Sequence, residues 1–390
     1  MNLAEIQEAI REEKLDGWLF CDHHRRDPLA YRILGLGEAL CPTRRWYYLI
    51  PAGGEPRGLV HRIEPDVLQP LPGAKIRYSS WDEQAASLKK LLEGCRKVAM
   101  QYSPNCAVPY VSMVDAGTIE LVRNVGAEVV SSADLVQYFE ARWSEEQFAA
   151  HIEAGRRVDA IRRSAFSMIG DRQRAGERVD EYQVRQFIRE RFAAQGLVTD
   201  HGPIVAVNAN ASNPHYEPSA DLKQEIRPGD WVLIDLWAKL DKPDAVYYDI
   251  TWTGYCGKAV PAEIEQVFRV VLEARDRAVQ RAERAMMAKE QVRGYQIDDA
   301  ARDYIRSKGF GEYFIHRTGH SIGREVHGAG ANMDNLETHD ERRVIPGTCF
   351  SVEPGIYLPE FGVRSEVDVY VSANSAMVTG EMQEEPVLIG

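Results

Sequence analysis

The 390-residue chain lacks any uncharged apolar run approaching the ~20 residues that a membrane-spanning helix needs. It also lacks a basic excess: 47 Lys and Arg stand against 59 Asp and Glu, a net charge of -12, which argues against a nucleic-acid backbone as partner. None of Cys21, Cys41, Cys95, Cys106, Cys256 and Cys349 sits in a C-x-x-C pair, so a structural zinc knot or a disulfide-stapled scaffold is disfavoured. Buried, reduced thiols of a cytosolic protein are the expectation. The N-terminal segment MNLAEIQEAIREEKLDGWLF has neither the basic start nor the apolar run of a secretion signal, so a soluble, cytoplasmic protein is expected. No tandem repeat or low-complexity segment stands out. What the chain does have is 44% hydrophobic and 27% charged residues, the balance of a protein that buries a sizeable core. Its length suggests two or three domains.

The first third alternates in character. Ile6, Ile10, Leu15 and Leu19 start as a helical stripe that passes into the short apolar run GWLFC. RRWYYLIPAGGEP reads as a strand entering a Gly/Pro turn, GLVHRIE as a second extended segment, and QAASLKKLLEG as a helix closed by Gly94. The strands KVAMQY and AEVVSS flank another helix near residues 117–125, giving a small α/β domain that ends near residue 140. Ser144 and Gln147 form a capping-box pattern that opens a long helix to about Ile169. A second helix over about 180–194 follows, then a loop-rich stretch, then the strands WVLIDLWAKL and AVYYDITWTGYC. Pro261 is read as the first residue of a helix over 261–288, a further helix covers about 297–308, and the last eighty residues return to strands and loops.

Acids embedded in apolar strands are costly unless they are paired or bind a cation. Asp235 in VLIDLWA and Asp249 in YYDITWT are two such acids; Glu353 in FSVEPGIY and Glu366 in GVRSEVDVY are two more. His320 lies between them in RTGHSIG. Each alone has a bland alternative, such as an ion pair between Glu366 and Arg364 or a histidine packed between glycines. Together, four carboxylates and one imidazole suit a pair of divalent ions such as Mn, Co, Fe or Zn.

The ordered set DLWA, YYDIT, GHSIGREVH, VEPGIY and GVRSE resembles the pita-bread metallopeptidases, the family of proline dipeptidase, aminopeptidase P and methionine aminopeptidase with the metal-free creatinases. The resemblance covers residues 145–390, an α+β pita-bread catalytic domain, and residues 1–140 resemble the family's α/β creatinase/prolidase-like N-terminal domain. It implies a dinuclear site in which Asp235 chelates one ion, Asp249 and Glu366 bridge both, and His320 with Glu353 complete the second. Manganese is the first choice of metal. It further implies that His215 in NPHYEP and His327 in GREVHG face the substrate, that Glu353 accepts a proton from water, and that Arg364 stands beside the metal shell. The implied activity is an Xaa-Pro peptidase, of dipeptidase or aminopeptidase P type, that cleaves a small peptide by a metal-bridged hydroxide. A homodimer is implied as well.

The chain departs from the family pattern in places. The segment KLDKPDA lengthens the hairpin between the two aspartates, so Asp241 and Asp244 compete with Asp249, which is preferred for the DIT that it begins. Gly328 follows His327 where an acid is common, and Trp252 stands where an Arg is usual. Fourteen residues before Glu353, where proline dipeptidases carry a carboxylate-gripping Arg, this chain has His339, with Arg342 and Arg343 beyond it. His339 is therefore the residue expected to meet the substrate there. Two alternatives remain open: a non-peptidase member acting on a small C–N or C–S substrate, and a metal-free binding module on the same fold.

Overall fold

In the computed structural model, which describes residues 1–37 and 39–390, the chain packs as two units, Met1–Glu140 and Ala141–Gly390. The first unit is built on one mixed sheet. Its strands are β1 (Gly17–Asp22), β2 (Trp46–Pro51), β3 (Arg57–His61), β4 (Ala74–Tyr78), β5 (Lys97–Met100) and β6 (Glu128–Ser131), in the order β4-β3-β2-β1-β5-β6. β1 and β2 are buried along their whole length, as continuous apolar runs such as GWLFC and WYYLI require. Among the described residues, five α-helices accompany them: α1 (Leu3–Glu12), α2 (Pro28–Leu34), α3 (Trp81–Leu91), α4 (Ala116–Asn124) and α5 (Ala133–Glu140). α2, α5 and β4 were not legible as elements, because each is short and gives periodicity little to work on.

The second unit opens with α6 (Glu145–Arg174), whose Ser144 and Gln147 close a reciprocal capping box as their spacing suggests. α7 (Glu181–Ala194), α8 (Ala262–Met287) and α9 (Gly294–Ser307) are its other α-helices among the described residues. One sheet has the order β17-β10-β9-β7, with β8 also on β9: β7 (Leu197–Val198), β8 (Ile204–Val207), β9 (Trp231–Leu240), β10 (Tyr248–Tyr255) and β17 (Val387–Leu388). A second sheet runs β11-β12-β15-β16, from β11 (Ser321–Ile322), β12 (Cys349–Val352), β15 (Val367–Val371) and β16 (Ala376–Val378). β13 (Gly355–Tyr357) and β14 (Gly362–Arg364) form a separate hairpin.

Two apolar cores fix these layers. One packs α6 and α7 onto Val232, Ile234, Leu236, Ala238, Tyr248 and Ile250, a single face of the β9–β10 pair. Gly155 permits this approach, since a Cβ there would meet the Tyr248 ring at 2.8 Å. The other gathers α8 and α9 against β12, β14 and β15. The opposite face of β9–β10 carries Asp235, Asp249 and Thr251 together with Trp231, Leu233 and Trp237.

Three details differ from the sequence reading. Pro261 is the N-cap of α8 rather than its first helical residue, with an extended ψ of 140°. α9 starts at Gly294, three residues earlier than its apolar pattern suggests, after an Arg293–Gln296 capping interaction. Four of the six cysteines are buried, but Cys41 and Cys106 are exposed; all six are free thiols. Among the described residues no helix is long and apolar enough to cross a membrane.

Candidate metal centre

The β9–β10 hairpin sets the site. Its register places Asp235 opposite Thr251 and Asp249 opposite Trp237. Side chains alternate along a strand, so these four share the face turned away from α6 and α7. His320 comes from the start of β11 and Glu353 from the end of β12. Their backbones are tied by Ser351 N–H donating to the His320 carbonyl at 2.8 Å and Glu353 N–H donating to the Thr318 carbonyl at 2.7 Å. Gly319 allows this contact, because a Cβ there would lie 1.8 Å from the Ser351 carbonyl oxygen. Glu366 leads into β15 and donates its N–H to the Thr251 carbonyl at 3.2 Å, which joins the two sheets at the site.

Asp235, Asp249, His320 and Glu366 are 8, 5, 4 and 2% exposed. One ligand atom each from Asp249, His320 and Glu366 lie within 4.8 Å of one another. His320 Nε2 is 3.4 Å from Glu353 Oε1 and 3.7 Å from Asp249 Oδ2. Asp235 Oδ2 accepts from Arg364 Nη2 at 2.5 Å. The competing acids of the hairpin are elsewhere: Asp241 and Asp244 are exposed in the turn, and Asp244 pairs with Arg324 at 2.9 Å.

Electrostatically the cluster is an excess of buried negative charge. Burial, then mutual repulsion among the carboxylates, raises Asp249 and Glu366 well above the usual range. Burial likewise raises Asp235 against the pull of Arg364, and pushes Glu353 up to about 7. Burial, and the neighbouring His327, push His320 well below its ordinary value, so its imidazole is neutral and available as a ligand. Asp249 Oδ1 is buried with no hydrogen-bond partner among the described residues. An orphaned buried carboxylate oxygen facing other acids is costly as it stands, and a divalent cation is the partner that relieves it.

The remaining residues read from the sequence fall in different places. His327 is exposed, its ring T-shaped against His320 with centroids 4.4 Å apart. His215 is exposed, its backbone N–H donating to Asn213 Oδ1 at 3.1 Å. His339 is exposed: Nδ1 meets Asn335 Oδ1 at 2.7 Å and its ring lies 4.3 Å from that of Tyr295. Trp252 faces α6, on the other side of the sheet from Asp235 and Asp249. The guanidinium of Arg162 stacks 3.4 Å over its ring. Its departure from the family pattern therefore bears on the core, not on what the site accepts. Arg342 is also structural, forked onto Asp340 within the 323–348 segment.

Several site residues were missed from the sequence. Thr251 donates to Glu366 Oε2 at 2.8 Å and accepts from Arg364 Nε at 3.0 Å, fixing both. Asp368 accepts the Asp249 N–H at 2.8 Å. Tyr357 accepts from Arg364 Nη1 at 3.1 Å and donates to His316 Nε2 at 2.6 Å; the tautomer follows from His316 Nδ1 facing the Arg317 carbonyl at 2.7 Å. Glu181, fully buried at the start of α7, accepts from Val207 N–H, Asn210 Nδ2, Tyr216 OH and Gln224 N–H at 2.6–2.9 Å. It thereby braces the loop that carries His215. A carboxylate two residues beyond Glu366, as Asp368 is, was a visible signal; the partners of Glu181 lie up to 43 residues away and left none.

A buried, carboxylate-rich cluster with one imidazole, on an α+β unit that follows an α/β unit in the sequence, defines a metal-binding protein of the pita-bread class. The model of metallopeptidase family M24 matches residues 149–373, and the chain belongs to that family. The Xaa-Pro dipeptidase of Pyrococcus furiosus is 36% identical over 174 residues, which cover 44% of this chain and 45% of that protein. The probable dipeptidase PepE of Mycobacterium tuberculosis is 26% identical over 350 residues, 87% of this chain and 84% of the relative. The crystal structure of dipeptidase PepE from Mycobacterium ulcerans superposes with a TM-score of 0.70 at 23% identity, covering 99% of this chain and 96% of that one. The fold is thus the two-domain pita-bread architecture. The match to the Pyrococcus protein spans less than half of that relative's length.

Proposed function

We propose that the chain is a dinuclear metallopeptidase that hydrolyses the bond before proline in small Xaa-Pro peptides. The observation that carries this is the cluster itself: Asp249, His320 and Glu366 offer converging ligand atoms, and the buried Asp249 Oδ1 has no other partner among the described residues. The donor set fits hard or borderline divalent cations, with Mn first and Co, Fe or Zn as alternatives. Asp235, Asp249, His320, Glu353 and Glu366 would hold two such ions. When bound, the pair supplies an acidified water and polarises the scissile carbonyl.

The protein's own groups do the rest. Glu353, whose Oε1 lies 3.4 Å from His320 Nε2, takes the proton from water and passes it to the leaving proline nitrogen. His215 and His327, at the exposed rim, contact the peptide and stabilise the charge that develops on its carbonyl oxygen. Arg364 and Thr251 hold Asp235 and Glu366 in place, so the constellation is set before substrate arrives. The relatives named for Xaa-Pro dipeptide hydrolysis support the substrate class. A cytoplasmic homodimer completes the reading, and light scattering that finds a monomer at working concentration counts against that part.

The test is a panel of Xaa-Pro dipeptides, Xaa-Pro tripeptides and non-proline controls, assayed with Mn, Co and Zn. Metal-dependent cleavage confined to the proline peptides supports the proposal. Cleavage of the controls at equal rates, or no metal uptake after reconstitution, overturns it.

A further inference from the structure

The site face of β9 continues past Asp235. Alternate side chains along a strand share a face and stand about 7 Å apart, so Trp237 follows Asp235 on it. The register sets it directly opposite Asp249. Along β9 only Trp237 and Lys239 are partly exposed, while Leu236 and Ala238 on the other face are buried in the core under α6. The indole is pinned rather than loose: Nε1 donates to Asp200 Oδ1 at 2.9 Å. Its ring packs between two small apolar clusters. One contains Tyr216, the neighbour of His215, and the other Val326, the neighbour of His327. Trp237 thus lies between the segments that carry both rim histidines, on the face that carries the acids.

We propose that Trp237 is the specificity wall of the site, receiving the side chain of the residue on the amino side of the cleaved bond and favouring apolar side chains there. The proposal rests on the Xaa-Pro peptidase reading. The carbonyl that is attacked belongs to that residue, so its side chain is the one carried closest to the acids. Trp237 offers a fixed apolar surface beside Asp235 and Asp249; Leu233, on the other side of Asp235 along this face, is 1% exposed, whereas Trp237 is partly exposed. Each methylene that such a wall covers is worth roughly tenfold in discrimination. Asp200 acts as a positioning residue, holding the ring edge so that its face stays turned to the site.

The test uses the Mn-loaded full chain and Gly-Pro, Ala-Pro, Leu-Pro and Phe-Pro. Wild type should show kcat/KM rising from Gly-Pro to Leu-Pro and Phe-Pro. Trp237→Ala should lose roughly tenfold on Leu-Pro and Phe-Pro and less than about twofold on Gly-Pro, while Trp237→Phe keeps the order. Asp200→Ala, which leaves the indole N–H without this acceptor, should flatten the preference partway, through KM rather than kcat. An equal loss on all four peptides would mean a merely structural tryptophan and overturn the proposal. A wild type that cleaves none of the four removes the peptidase reading instead. A second measurement then tests the wall separately. In 5-fluorotryptophan-labelled protein, the resonance that is missing from Trp237→Phe should broaden on titration with Mn2+ alone. A resonance left sharp at full metal occupancy would overturn the placement.

Discussion

Arg364 holds Asp235 through Nη2 at 2.5 Å while its Nε reaches Thr251, the residue paired with Asp235 across the β9–β10 hairpin. One guanidinium therefore ties the hairpin to the β14–β15 segment at the centre of the acid cluster. It is 3% exposed, and its charge opposes the repulsion among these acids. Removing one partner of a buried pair leaves the other charge uncompensated, at a cost of roughly 3–5 kcal/mol. Arg364→Met should lower stability by about that much in the metal-free protein, read by denaturant midpoint. Added Mn2+ should restore much of the loss, since cations replace the missing positive charge. A variant as stable as wild type without metal would show that the tie is not structural.

Asp249 presents the opposite case. Its carboxylate is buried, repelled by Asp235, Asp368 and Glu353, and partnerless at Oδ1. Asp249→Asn removes a charge that only a cation relieves. The apo protein should be at least as stable as wild type, with a gain on the order of 1 kcal/mol. The rise in melting temperature on adding Mn2+ should vanish, and turnover with it. Thermal scans with and without metal, beside a metal assay, decide it. A Mn2+-induced rise equal to that of wild type would remove Asp249 from the ligand set.

The acids of the cluster were legible because each interrupts an apolar strand, where a charge is expensive enough to stand out. The choice of Asp249 over Asp241 and Asp244 rested on the three letters DIT, and what separates them physically is burial, which a sequence shows only through alternation. Trp252 and His339 looked like departures in the substrate pocket. One proved to face α6 and the other to sit among Asn335 and Tyr295. Strand parity would have revealed the first, since Trp252 is an odd number of residues from Asp249. Nothing local would have revealed the second, because the 323–348 segment is held by side chain-to-backbone bonds rather than by a repeating pattern. The same holds for Glu181, whose partners come from β8, the loop after it and Gln224.

Glu181 is an acceptor set among four donors. Glu181→Gln places an amide N–H against at least one of them, at a cost of roughly 1–3 kcal/mol. The loss should be local as well as global. Hydrogen exchange should quicken in residues 207–224 while α8 stays protected, and KM for the peptide should rise because His215 is no longer held. Unchanged exchange across that loop would show that the brace is redundant.

Acid stability follows from His151, buried on α6 with Nδ1 donating to the Tyr247 carbonyl at 2.7 Å and Nε2 2.7 Å from Thr379 Oγ1. Burial pushes its pKa down to about 4. Unfolded, a histidine titrates near 6.5. Between those values the unfolded chain binds the proton and the folded one does not, so the histidine's contribution is fully present above pH ~6.5 and is lost as pH falls toward about 4. The full excursion is on the order of 3 kcal/mol. Measured in the apo protein, the unfolding free energy should fall over that window. His151→Gln, which can still donate to Tyr247, should fall less steeply, by close to one proton in the linkage slope. Equal slopes for the two proteins would assign the acid loss to other groups, with His316, pushed down to about 3 by burial and then by Arg364, the next to substitute.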